Sequence, residues 1–133
     1  MIYKKFQDIE LSALGFGTMR LPWMADNSGR IDQEEVDKMV DYAIANGVNY
    51  FDTAYLYPGN EEAFGKALEN IGGRDKIFIA TKMPHYLMKT MEDAEKRFNE
   101  QLARLRTDHV DYYLMHMLPD VKTWEALVQR GAV

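Results

Sequence analysis

The chain is 133 residues long and 47% hydrophobic, enough for one domain with a substantial core. Sixteen Lys and Arg against twenty-one Asp and Glu leave a net charge of −5 with no dense basic cluster, so nucleic acid is not an expected partner. Cysteine is absent and His85, His109 and His116 show no i, i+4 ligand pairing, which excludes disulfides and thiolate-held metals and leaves no metal site expected.

Met1 is followed by Ile-Tyr-Lys-Lys-Phe-Gln, without the apolar core of a secretory signal, and no run approaches a membrane span. A soluble, cytoplasmic protein is expected. Ile2, Tyr3 and Phe6 before Gln7-Asp8, with Ile9 and Leu11 after it, predict a short β-hairpin over residues 1–12. A first buried strand is expected at Ala13 to Gly17, then a polar loop from Arg20 to Arg30 containing Pro22, Asn27 and Gly29. Asp32, with Glu35 three positions on, gives a capping-box-like start to a helix in which Val36, Met39, Val40, Ala43 and Ile44 repeat at helical spacing. Gly47 closes it.

A strand from Val48 to Phe51 leads to a second helix, capped by Asn60, with Ala63, Phe64, Ala67 and Leu68 on one face and Gly72-Gly73 at its end. Ile77 to Thr81 is the third strand. Thr90 with Asp93 starts a third helix whose stripe is Ala94, Phe98, Leu102 and Leu105. The strand Val110 to Met115 follows, and a fourth helix starts near Thr123 and carries Trp124, Leu127 and Val128. Near-continuous apolar strands alternating with amphipathic helices argue for an α/β fold with a parallel sheet and right-handed crossovers. The expected organisation is a single domain over 1–133, hairpin 1–12 and then βα units 13–133.

Four polar groups, Asp52, Tyr57, Lys82 and His116, fall at or just past the ends of these strands. In a parallel barrel such ends converge on the face where the chemistry sits, so the four read as one proton-donating site. Taken singly, each has a plainer reading. Asp52 could cap a turn, Lys82 could be solvated, and His116 could be a satisfied structural histidine. Tyr55 rivals Tyr57 by composition alone. His85 and His109 read as structural, the nine methionines as adaptable core or pocket lining, and Glu61-Glu62 as favourable first-turn charge on a helix.

The segments Gly15-Phe16-Gly17-Thr18-Met19, Phe51 through Tyr57, Asn60-Glu61 through Leu68, Ala80-Thr81-Lys82 and Asp111 through His116 together resemble the N-terminal half of the aldo/keto reductases. The resemblance covers essentially the whole chain. It implies the N-terminal half of a (β/α)₈ TIM barrel, a hairpin followed by four βα units, and therefore a truncated barrel, because a closed one takes roughly 250 residues. The run Gly17 to Pro22 most resembles the bacterial and archaeal subgroup that often carries a ferredoxin-like region near its C-terminus. Without cysteine, no iron–sulfur cluster is expected in this chain.

The resemblance implies a catalytic tetrad of Asp52, Tyr57, Lys82 and His116 in an enzyme that reduces aldehydes or ketones, small carbonyl substrates, to alcohols. It selects Tyr57 over Tyr55 as general acid, because the family's donor lies five residues after the aspartate. The chemistry fits these residue types. A free phenol, with a pKa of about 10, is a poor acid near neutrality unless its conjugate base is stabilised. A neighbouring ammonium does that, and a carboxylate keeps the ammonium charged and aimed. His116 would orient the carbonyl and share in stabilising the developing alkoxide. The hydride must come from NADPH or NADH, since no side chain can deliver one.

By the same resemblance Gly17, Thr18, Met19 and Asp52 are expected beside the nicotinamide riboside, and Trp23 and Tyr55 along the substrate pocket. Four barrel strands leave open edges, so self-association or a missing C-terminal half is expected to cover them. No Gly-rich phosphate cradle occurs, so weak binding of NADPH by this chain alone, and an inactive fragment, are further expectations. The competing reading is a non-catalytic scaffold or regulatory protein that keeps the family fold.

Overall fold

The computed structural model describes residues 1–26 and 28–131; Asn27 of the polar loop and residues 132 and 133 lie outside the described residues. Strands β1 (Tyr3–Phe6) and β2 (Ile9–Ser12) form the antiparallel hairpin, turning at Gln7, whose φ is +54°. Four parallel strands follow in sequential order: β3 (Phe16–Gly17), β4 (Tyr50–Asp52), β5 (Phe78–Met83) and β6 (Tyr112–Met115). Helix α1 (Gln33–Ala45) connects β3 to β4, α2 (Asn60–Ile71) connects β4 to β5, α3 (Met91–Leu105) connects β5 to β6, and α4 (Val121–Gln129) ends the chain of elements.

Local signals account for most element starts. The Asp32 carboxylate accepts from the Glu35 amide at 3.1 Å, and Gly47 takes φ +85° just past α1. Thr90 and Asp93 make a reciprocal capping box at α3. Three expectations need correction. The first strand is paired only at Phe16 and Gly17, because Ala13 and Leu14 are exposed and carry the chain up from the hairpin. Asn60 does not cap α2: Gly59 does, at φ +73°, and Asn60 is instead the first helical residue, its side-chain amide donating to the Thr18 carbonyl. Helix α4 begins two residues before Thr123, because Asp120 is the cap and accepts from the Thr123 amide at 2.7 Å.

The core lies between the sheet and helices α1 to α3. Phe51, Phe64, Val36, Val40, Ile79 and Leu105 are fully buried there, with Phe51 stacked on Phe64 at 5.3 Å between ring centroids. Helices α2 and α3 approach closely at Gly65, where a Cβ would lie 2.4 Å from the Arg104 carbonyl oxygen. The hairpin packs under the N-terminal ends of the strands: Phe6 meets Tyr112 edge-on at 5.8 Å, and Asn49 bonds Ser12 and Glu10. That leaves the opposite, C-terminal ends of β3 to β6 to carry loops. Among the described residues no helix is long and apolar enough to cross a membrane.

Candidate active site

Asp52 is the last residue of β4, and its backbone ties two neighbouring strands together. Its carbonyl accepts from the Thr18 amide at 2.9 Å, and it stands in register with Gly17 on one side and Ala80 on the other. Lys82, two residues beyond Ala80 on β5, lies on the same face by the strand's period of two. Its ammonium bonds the Asp52 carboxylate at 2.6 Å and the Thr53 carbonyl at 2.6 Å. The Lys82 side chain is 15% exposed and that of Asp52 34%, so the pair is shielded on the lysine side and wetted on the other.

Tyr57 reaches this ammonium from the loop after β4. The Lys82 Nζ lies 5.3 Å from the centre of the Tyr57 ring, a cation–π distance. His116 follows β6, held there by its amide bonded to the Met83 carbonyl at 3.0 Å. Its ring stands perpendicular to that of Tyr57, 6.0 Å away. Three side chains, those of Asp52, Tyr57 and His116, thus gather about the Lys82 ammonium.

His116 is buried, and its Nδ1 has no partner among the described residues. Desolvation first, and then the Lys82 ammonium, hold this imidazole below its ordinary value, against the opposing pull of Asp52; His85 lowers it slightly further. A neutral ring at pH 7 follows. With Nδ1 enclosed, Nε2 is the nitrogen left to meet a ligand.

The residues expected near a nicotinamide divide in their setting. Above Gly17 a Cβ would meet nothing within 4 Å, so the backbone there is open to a ligand. Thr18 is fully buried and its hydroxyl has no partner among the described residues, while Met19 is 61% exposed. Trp23 is exposed on the loop before α1, bridged to Ile31 and packed near Gly29. Tyr55 is engaged elsewhere: its hydroxyl donates to Glu100 at 2.9 Å and accepts from Arg97 at 2.7 Å, and Arg104 lies over its ring at 4.3 Å. The structure therefore brings Asp52, Tyr57, Lys82 and His116 together but ties Tyr55 to α3.

Two aromatic residues near the cluster carried no signal in the sequence. Tyr86, in a short 3₁₀ turn after β5, has its ring 6.4 Å from that of His116, and His85 packs edge-on against Tyr86 at 5.2 Å. Both border an open cleft of about 810 Å³ between this turn and α4, walled further by Met88, Met117, Leu127 and Arg130. Nothing in their spacing marks them, since a single 3₁₀ turn, closed by Leu87 to Pro84 at 2.8 Å and Met88 to His85 at 3.3 Å, leaves no periodic pattern to read.

Comparison with known proteins gives one consistent result. Residues 13–129 match the model of the Aldo/keto reductase family. The chain is 37% identical over 114 residues to Aldehyde reductase YPR1 of Saccharomyces cerevisiae, covering 85% of this chain and 32% of that protein. A solved thermostable aldo-keto reductase in complex with the inhibitor epalrestat superposes with a TM-score of 0.71 and 30% identity, over 98% of this chain and 51% of that one. An aldo-keto reductase from Klebsiella pneumoniae in complex with NADPH gives a TM-score of 0.68 at 28% identity, over 98% and 47%. The chain spans roughly a third of the length of the yeast relative and about half of these solved structures.

Proposed function

Because the chain belongs to the aldo/keto reductase family, we propose that Asp52, Tyr57, Lys82 and His116 handle the proton in an NAD(P)H-dependent reduction of an aldehyde or ketone to an alcohol. The observation that carries this reading is the short Lys82–Asp52 bond with the Tyr57 ring and the His116 imidazole gathered around the same ammonium. A bound reduced nicotinamide supplies the hydride to the carbonyl carbon.

Tyr57 is the general acid, giving its hydroxyl proton to the carbonyl oxygen as charge builds there. Lys82 stabilises the phenolate that remains, and Asp52 keeps that ammonium charged and aimed. His116, neutral because it is desolvated beside Lys82, donates a hydrogen bond to the same oxygen and orients it. The open backbone at Gly17 and the unpartnered Thr18 hydroxyl fit the nicotinamide riboside, with Met19 and Asp52 beside them. Trp23 and Tyr86 are the wall residues of this reading, Tyr55 being committed to α3.

No Gly-rich phosphate cradle occurs in the sequence, so this chain by itself holds NADPH weakly. The β6 side of the sheet, with Leu114 41% exposed, is the edge offered to a second copy or a further barrel half. The test is oxidation of NADPH in the presence of a simple aromatic aldehyde. Tyr57→Phe is expected to lower turnover by about 10²-fold or more with the fold unchanged by circular dichroism. A parent protein that binds NADPH yet shows no turnover would favour the scaffold reading.

A further inference from the structure

Behind the tetrad, on the helix side of β5, lies a second polar cluster that the proposed reaction does not use. Glu61, the second residue of α2, is completely buried. One of its oxygens accepts from the Thr81 hydroxyl at 2.8 Å and from the Gln101 amide at 2.7 Å; the other accepts from Arg104 at 3.3 Å. The Gln101 amide nitrogen also lies 2.8 Å from the Thr81 hydroxyl and 3.3 Å from the Lys82 carbonyl. Tyr113 of β6 donates to the Gln101 oxygen at 2.8 Å, which fixes how that amide is turned. Burial pushes the Glu61 carboxyl up, against the hydrogen bonds that support its charge.

Placing a carboxylate in a core is costly, and an apolar side chain would fill the space more cheaply. The placement makes sense by what it grips. Thr81 and the Lys82 carbonyl are the two backbone-adjacent handles on the segment that presents the Lys82 ammonium to Asp52. We infer that Glu61, acting through Thr81 and Gln101, is a positioning residue that sets where Lys82 stands in the proton-donating site. The inference rests on the reductase reading for its purpose, but not for its test.

The readout is the titration of His116, followed by the ring C–H resonances in NMR. Its imidazole faces Lys82, Asp52 and His85, with the Tyr57 and Tyr86 rings around it. If Lys82 leaves its place, the cation that depresses His116 recedes and Asp52 loses its partner. Both changes raise the His116 pKa. Glu61→Ala is therefore expected to move the His116 midpoint upward, whereas Glu61→Gln, which keeps an acceptor for Thr81, restores most of the parent value.

A lower melting temperature with an unmoved His116 midpoint would mean that Glu61 is merely structural and would overturn the inference. If Glu61→Ala does not fold, Thr81→Val removes one grip while leaving the carboxylate in place. The same upward shift there supports the inference, and an unchanged midpoint refutes it. NADPH bound without aldehyde turnover in every variant, parent included, would count against the reductase reading and leave this result standing.

Discussion

Replacing Lys82 by Met removes the ammonium at the centre of the candidate site while keeping a stem of similar length. The group deleted bonds Asp52 and the Thr53 carbonyl, each at 2.6 Å, and its side chain is 15% exposed. Breaking a fully buried ion pair on one side costs about 3–5 kcal/mol. The Asp52 carboxylate is 34% exposed, so water recovers much of its solvation and the expected loss falls to about 1–2 kcal/mol. At about 4 °C per kcal/mol for a chain of this size, the melting temperature should drop by roughly 4–8 °C. The His116 midpoint should move upward at the same time, because Lys82 is the largest charge holding it down after desolvation. Wherever the protein turns over an aldehyde, the rate should fall by about 10²-fold or more, which is about 2.7 kcal/mol of transition-state stabilisation. Differential scanning calorimetry and the NMR titration check the first two. A His116 midpoint that stays put would refute the geometry of the cluster, whatever the kinetics show.

Gly65→Ala should destabilise more than any exposed substitution, because its Cβ would lie 2.4 Å from the Arg104 carbonyl oxygen and 2.6 Å from the Leu105 carbonyl carbon. Neither is a flexible side chain, so α2 and α3 must part, with a cost of roughly 1–3 kcal/mol readable as a lower urea midpoint. The pH dependence of stability follows from His116. Its folded value lies below its unfolded one, so across the window beneath 6.5 the unfolded chain binds more protons and stability rises with pH. Acidification from neutrality therefore weakens the fold through His116. The Glu61 carboxyl, raised above 4.5, works in the opposite sense, since there the folded chain holds the extra proton. His116→Gln should flatten the parent's loss of stability between neutral pH and about pH 5, measured as urea midpoints; an identical slope in the variant would refute the assignment.

What could be read from the sequence was what local chemistry decides. The hairpin, the order of strands and helices, and the caps at Asp32 and Thr90 rest on neighbours within a few residues. The gathering of Asp52, Tyr57, Lys82 and His116 was legible because parallel strands in sequence order put their ends together. Glu61 was read as first-turn charge, a place it does hold, but its burial was not legible, since the partners that enclose it, Thr81 and Gln101, stand 20 and 40 residues away. One signal was there: Gln101 falls three residues after Phe98 and four before Leu105, a polar side chain on the apolar stripe of α3. Such a residue needs a buried partner. Asn60 misled for a similar reason, its side chain being drawn to the Thr18 carbonyl across the sheet rather than to its own helix.

The two clusters share a cause in the geometry of a single strand. Successive residues of β5 face opposite ways, so Thr81 points into the layer between sheet and helices and Lys82 points away from it. A charge placed on the helix face therefore reaches the chemistry only through backbone, by the Thr81 hydroxyl that anchors the preceding residue and by the Gln101 bond to the Lys82 carbonyl. Two adjacent residues thus join a dry carboxylate, held by Thr81, Gln101 and Arg104, to a half-wet one that is held by Lys82 alone among these side chains. The dry cluster can be rigid because every oxygen of Glu61 is engaged. In the proposed reaction the wet one keeps Tyr57 and His116 free to meet a carbonyl. Separating the two on opposite faces of one strand lets the first fix the position of the second without occupying it.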